Sequence, residues 1–345
     1  MQSRNYGIDL LRIVSMLMVT LLHVLGHGGV LESTVGISHK MVWFFETAAF
    51  CSANCYALIS GYVGVNSKHK YANIAILYLQ VIFYTLLIAF GYALYKPEII
   101  SEGVFFRSLF PFVYNHYWYF TAYFCLFFFM PFINKMLIAL SRKEIKILAG
   151  SIIVLFTVIP TAFMNDPFNL NGGYSAIWIT ALYVFGGCIQ ILDFSNLRKR
   201  TLLGVYAICV MLSWLNKFYI PCPEKGALIS YLSPTILVAA ASLVILFSKI
   251  SPGRYFQMVI TFFAPLSFGV FLIHTHPLIW NEWLTDRYLH FAEYSVFGVA
   301  GASIIAAVAI WFVCSLIDYV RYSLFRLLKI KKGFVLLEQK MAEKK

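Results

Sequence analysis

RNYGIDLLRIVSMLMVTLLHVLGHGG, residues 4–29, decides the fold. It is long enough as a helix to cross about 30 Å of hydrocarbon, which takes roughly 20 apolar residues. It is not uniformly apolar, however. Asp9, Arg12, Ser15, Thr20, His23 and His27 fall close to one helical face. Arg12 and His23 are eleven residues apart, so they align on that face about 16 Å from each other along the axis. With Arg12 at a membrane interface, His23 sits near the middle of the bilayer. A histidine at that depth faces a bundle interior or a wet cavity and marks a functional site, or it bonds a neighbouring span as packing. The aligned Arg12 favours a polar channel. The charges at Asp9 and Arg12 and the length of the apolar run argue against a cleavable signal peptide.

The rest of the chain repeats the pattern. Of 345 residues, 61% are hydrophobic and only 12% charged, half the charge of a soluble domain. Apolar runs predict spans at 8–29, 41–64, 72–95, 116–139, 147–164, 175–193, 201–220, 228–248, 256–281 and 294–318. No ten-residue alternation suggests a barrel, and lipid admits only helices or closed barrels. The expected fold class is therefore all-α: a polytopic membrane bundle of about ten transmembrane helices. Segment 103–113, cut by Pro111, is too short to cross and is expected in the interface. No internal repeat is visible.

The net charge of +12 is explained by topology rather than by nucleic acid, because no soluble basic domain exists to bind it. With the N-terminus inside, all but six of the 27 Lys and Arg fall in cytoplasmic connections; the exceptions are Lys40, Lys96, Arg107, Lys217, Lys225 and Arg287. That excess predicts both ends in the cytoplasm of a multi-pass cell-membrane protein. Residues 1–320 form the expected membrane domain. Residues 321–345 form a basic cytoplasmic tail, amphipathic on the inner leaflet at first and disordered at its end. The seven Cys match no metal or disulfide spacing, and no metal is expected.

Beyond the first helix, Glu46 and Asn54 lie on the second span, about one turn from the outer surface and near the midplane respectively. Carboxylates in spans are rare and usually functional; Asn54 is either a substrate contact or interhelical glue. Trp118, Tyr119 and Tyr123 enter the fourth span from outside and suit either sugar stacking or an interfacial belt. His274 and His276 are two residues apart, diverge by about 200° on a helix and poorly suit one metal.

These elements resemble the acyltransferase 3 family of bacterial membrane O-acyltransferases. Arg12, ten intervening residues and His23, flanked by IDLLRIVSMLMV, match its first-helix motif. ALISGYV (57–63), YWYFTAYFCLFFFMPFIN (117–134) and SFGVFLIHTHPLI (267–279) are similar to the ends of its second, fourth and penultimate spans, and they occur in the same order. The chain departs from the family after the second span: many members carry an Arg-x-x-Arg pair there, whereas NSKHKY (66–71) offers Lys68 and Lys70. A lysine binds phosphate as a point charge, without arginine's fork.

The resemblance implies transfer of an acyl group, commonly acetyl, from acetyl-CoA to a hydroxyl of a carbohydrate, cell-envelope precursor or lipid-linked glycan. Arg12, Lys68 and Lys70 are then expected to hold the coenzyme A phosphates, and His23 to act as general base or acyl carrier. Glu46, Asn54, Tyr119, Tyr123 and His274 are the expected acceptor contacts. A transporter or flippase for a small polar solute or lipid-linked sugar is the competing reading, since it too needs a polar channel.

Overall fold

The computed structural model describes residues 4–343 and is helical throughout, with no strand among the described residues. Lys344 and Lys345, two of the tail cations, lie outside the described part. Eight helices are long and apolar enough to cross a membrane: α1 (Tyr6–Leu25), α2 (Gly36–Gly64), α3 (Tyr71–Tyr95), α4 (Trp118–Ala139), α5 (Arg142–Phe163), α7 (Lys199–Phe218), α9 (Arg254–His274) and α10 (Val296–Leu327). The expected sixth and eighth spans are shorter apolar helices, α6 (Ala176–Leu192) and α8 (Pro234–Ser248). A final helix, α11, covers Ile330–Glu343. The chain is a multi-pass membrane protein.

Several boundaries differ from the sequence reading, each for a local reason. The first helix stops at Leu25 rather than 29, because GHGG supplies a chain reversal, with Gly29 at φ 86°. The ninth span ends at His274 rather than 281, ahead of Pro277, and it is already tightened at Ala264–Leu266 by Pro265. The last span continues through position 320 to Leu327, so helix crosses the expected boundary between membrane domain and tail. Of the tail end expected to be disordered, residues 344–345 lie outside the described part, and the described part is helical to Glu343. It is held there by the Glu338 carboxylate, which accepts from the amides of Tyr71 (2.8 Å) and Ala72 (3.3 Å). Those amides open α3, where Lys70 supplies no side-chain cap, so a carboxylate from a distant helix does the job of a local one. In the 103–113 segment, Val104–Leu109 forms a short helix. Thr85 donates to the Ser108 carbonyl oxygen (2.8 Å) and Tyr78 to that of Leu109 (2.6 Å), fixing the segment against α3.

Two features position the functional region. The first is the crossing of α2 and α6. A Cβ on Gly61 would lie 1.8 Å from the Tyr183 carbonyl oxygen, and one on Gly186 would lie 2.2 Å from that of Leu58. Only glycine permits this approach, the small-residue packing that membrane helices use in place of a hydrophobic drive. The second is a break in α2 at Phe50–Cys51. It loosens the backbone near Ala48, whose carbonyl oxygen accepts from the Tyr206 hydroxyl of α7 (2.8 Å), as a break within lipid requires.

One end of the bundle gathers the start of α1, the close of α8 and the loops that α2, α4 and α6 lead into. Asn5 donates to the Ser248 carbonyl oxygen (3.0 Å), and Arg142 to that of Leu192 (2.7 Å). Lys249 reaches Ser195 (2.8 Å) and Leu197. The starts of α4, α6 and α8 lie at the opposite end. The apolar core forms two clusters, one centred on α4, α6 and α8 and the other on α3, α9 and α10.

Candidate active site

A cavity of about 700 Å³ runs between the two clusters, within the range of small-molecule sites. Arg12 lines it at one end, and His27, Thr275 and Asn281 at the other, with His23 between. A second space of about 290 Å³ adjoins the Arg12 end and is lined by Lys68, His69 and Lys70. Arg12, Ser60 and Tyr123 line both spaces. The cationic loop and His23, in the last turn of α1, thus line adjoining spaces that share three side chains.

His23 does not stand alone. His274 Nδ1–H donates to the Val270 carbonyl oxygen one turn back on α9 (2.6 Å), which leaves His274 Nε2 as an acceptor. His23 Nδ1 lies 2.8 Å from that atom, so its proton must be on Nδ1. The lone pair of His23 is then on Nε2. The carbonyl of Val270 fixes the tautomer of both rings, as a second partner usually does for histidine. The Trp280 ring meets His23 edge-on (centroids 4.7 Å apart) and stacks on His27 at 4.0 Å. Trp280 opens a widened helical turn, Trp280–Leu284, which is tied down by Lys96 on Glu282 (2.8 Å).

At the cationic end, Asp9 bridges Arg4 (2.6 Å) and Arg12 (2.5 Å). One Arg12 nitrogen is thereby engaged while the guanidinium still faces both spaces. Tyr56 of α2 donates to the Arg12 carbonyl oxygen (2.5 Å) and itself lines the cavity. In the cationic loop, burial holds His69 below its ordinary pKa, partly offset by Glu338, so the loop's positive charge rests chiefly on Lys68 and Lys70.

The other sequence candidates separate. Glu46, Tyr119 and Tyr123 line the cavity. Glu46 Oε2 and the Tyr119 hydroxyl are both buried without a hydrogen-bond partner. Asn54 is outside the lining. Its amide donates to the Tyr231 carbonyl oxygen (2.9 Å) and accepts from Trp178 Nε1 (3.3 Å), so it acts as interhelical glue. His276 caps the Pro277 turn by accepting from the Leu278 amide (3.2 Å). Sequence reasoning missed Tyr56 and Trp280, which carry no spacing signal. It also missed the pairing of His23 with His274, two side chains 251 positions apart.

No curated protein and no solved structure matches the chain significantly. The family model described as an acyltransferase domain, Acyl_transf_3, matches residues 5–316 and thus takes in every cavity-lining element from α1 through α9. On that match the chain belongs to the acyltransferase 3 family and is a membrane acyltransferase.

Proposed function

We propose that the protein transfers an acyl group, acetyl in the first instance, from acyl-CoA to a hydroxyl of a carbohydrate or lipid-linked glycan of the cell envelope. One observation carries this reading: a histidine whose tautomer is fixed by His274 and Val270 lines a cavity that adjoins a cationic vestibule through Arg12.

In this reading the vestibule faces the cytoplasm, in line with the excess of basic residues there. Lys68, Lys70 and Arg12 hold the donor's phosphates, and its pantetheine arm passes Ser60 and Tyr123 toward His23. The acceptor hydroxyl oxygen adds to the thioester carbonyl carbon as His23 Nε2 takes its proton. The Tyr119 hydroxyl, without a partner of its own, donates to the developing oxyanion. The carbon–sulfur bond then breaks, and the thiolate recovers the proton from the imidazolium. His274 positions the ring and, through its Nε2 acceptor, favours the cation that forms on His23.

The test is turnover of radiolabelled acetyl-CoA by purified protein, together with ester-linked acetyl in envelope glycans of a deletion strain complemented by wild type or His23→Ala. The variant is expected to lose about 10²–10⁴-fold in turnover, the usual share of a general base, and to leave glycan ester at the deletion level. Equal ester in deletion and parent strains would end the proposal. Solute uptake with no need for acetyl-CoA would replace it with the transporter reading, which the cavity's extent from Arg12 to His27 also suits.

A further inference from the structure

The half of the cavity away from Arg12 has a wall of different character. Phe50 of α2, Trp118 at the start of α4, Tyr174 before α6 and Tyr231 before α8 all line it. Their rings touch in sequence. Phe50 and Tyr231 have centroids 4.9 Å apart with 32° between their planes, and Tyr231 and Trp118 6.2 Å apart with 30°; Tyr174 meets Tyr231 (5.2 Å) and Trp118 (4.6 Å) edge-on. Phe50, Tyr231 and Trp118, at shallow angles and in contact, make a broad face with Tyr174 edge-on beside it, whereas a box for an ammonium ion would hold its rings apart. Glu46 lies one turn before Phe50 on α2 and shares its face. It is 7% exposed, it lines the same space, and its Oε2 has no partner. A buried acid in lipid without a partner costs free energy, so a ligand that supplies hydrogen-bond donors would relieve it. Asn54, one turn beyond Phe50, bonds the Tyr231 backbone and sets the wall from behind.

We propose that Phe50, Trp118, Tyr174 and Tyr231, with the Glu46 carboxyl at their edge, form a pyranose-ring subsite that receives the acceptor of the acyl transfer. The assignment rests on the acyltransferase reading for its role and on the wall alone for its ligand. The apolar C–H face of a neutral sugar ring stacks on the aromatic surface while its hydroxyls donate to Glu46. A flexible linear polyol offers the same hydroxyls but no such face, so the subsite discriminates by ring. Tyr174 is half exposed, 48%, and forms the rim by which a ring enters.

Binding is measured without any thioester present, by saturation-transfer difference NMR on detergent-purified protein. The probes are methyl β-glucopyranoside, its N-acetylglucosamine counterpart and sorbitol. The glycosides are expected to bind at least about tenfold more tightly than sorbitol, a difference near 1.4 kcal/mol. Trp118→Leu and Glu46→Gln are each expected to weaken the glycosides by a similar factor, and Trp118→Phe to retain them. Should Trp118→Leu fail the gel-filtration check, Tyr174→Leu at the exposed rim replaces it. Equal binding of sorbitol, or unchanged glycoside affinity in the folded variants, overturns the subsite. If glycosides bind as described and acetyl-CoA is not turned over, the acyltransferase reading falls and the sugar subsite stands. If acetyl-CoA is turned over and no ring binds, the reverse holds.

Discussion

Glu46 and Asp318 are both buried acids, yet their surroundings differ in every other respect. Asp318 of α10 is 0% exposed and fully engaged. It accepts from the Tyr84 hydroxyl (2.7 Å), from Arg321 Nε (2.9 Å) and Nη2 (2.7 Å), and at the limit of a hydrogen bond from Gln80 (3.4 Å). It also presses on Gly269 of α9, where a Cβ would lie 2.0 Å from its carboxyl carbon. Glu46 is almost as buried, faces the cavity and leaves one oxygen without a partner. Intramembrane acids are commonly read as functional from position alone. Here the inventory of partners separates them: the satisfied acid staples α3, α9 and α10 together, and the unsatisfied one is the acid proposed to meet the acceptor.

The widest separation between them should appear in stability. Asp318→Ala leaves the Arg321 guanidinium buried and unpaired, an arrangement that costs about 3–5 kcal/mol. Thermal unfolding of the detergent-purified protein should show that loss, and Arg321→Met in the same chain should recover most of it. If Asp318→Ala melts like wild type, the staple is not one. Glu46→Leu should move the other way, raising stability by about 1–3 kcal/mol because an unsatisfied buried polar atom is removed, while weakening acceptor binding. A fall in melting temperature would mean that Glu46 has a structural partner after all. The smallest effect is expected at Ser15, also fully buried with its hydroxyl unpartnered, yet outside the cavity lining. Ser15→Ala should leave turnover at the wild-type level and raise stability by no more than about 1 kcal/mol, the low end for removing an unsatisfied buried hydroxyl. A large loss of turnover would restore Ser15 to the functional face of α1.

The sequence carried the class of fold and the first helix of the site. Apolar length and the excess of basic residues speak directly of membrane helices, and the alignment of Arg12 with His23 is helix arithmetic; both residues do line the cavity. What stayed hidden depended on neighbours. His274 looked like an acceptor contact, and nothing in its spacing announced that its ring would take a hydrogen bond from His23. Asn54 sits at the right depth for a ligand, but its amide is consumed by Tyr231 and Trp178, residues more than a hundred positions away. Asp318 drew no notice because it lies near the end of a long apolar run where charges return, and only the packing of α3 and α9 reveals it as interior. The aromatic wall was half visible in Trp118. Tyr174 and Tyr231 come from loops whose approach to α4 no local pattern encodes.

The capping of α3 by Glu338 has a consequence for biogenesis. The Tyr71 and Ala72 amides beside the cationic loop are emitted by the ribosome 266 or more residues before the carboxylate that receives them. The start of the third helix beside that loop therefore takes its final form only when the last helix has been synthesised and has swung back onto it. A chain released early would insert its spans and still leave those two amides without their carboxylate.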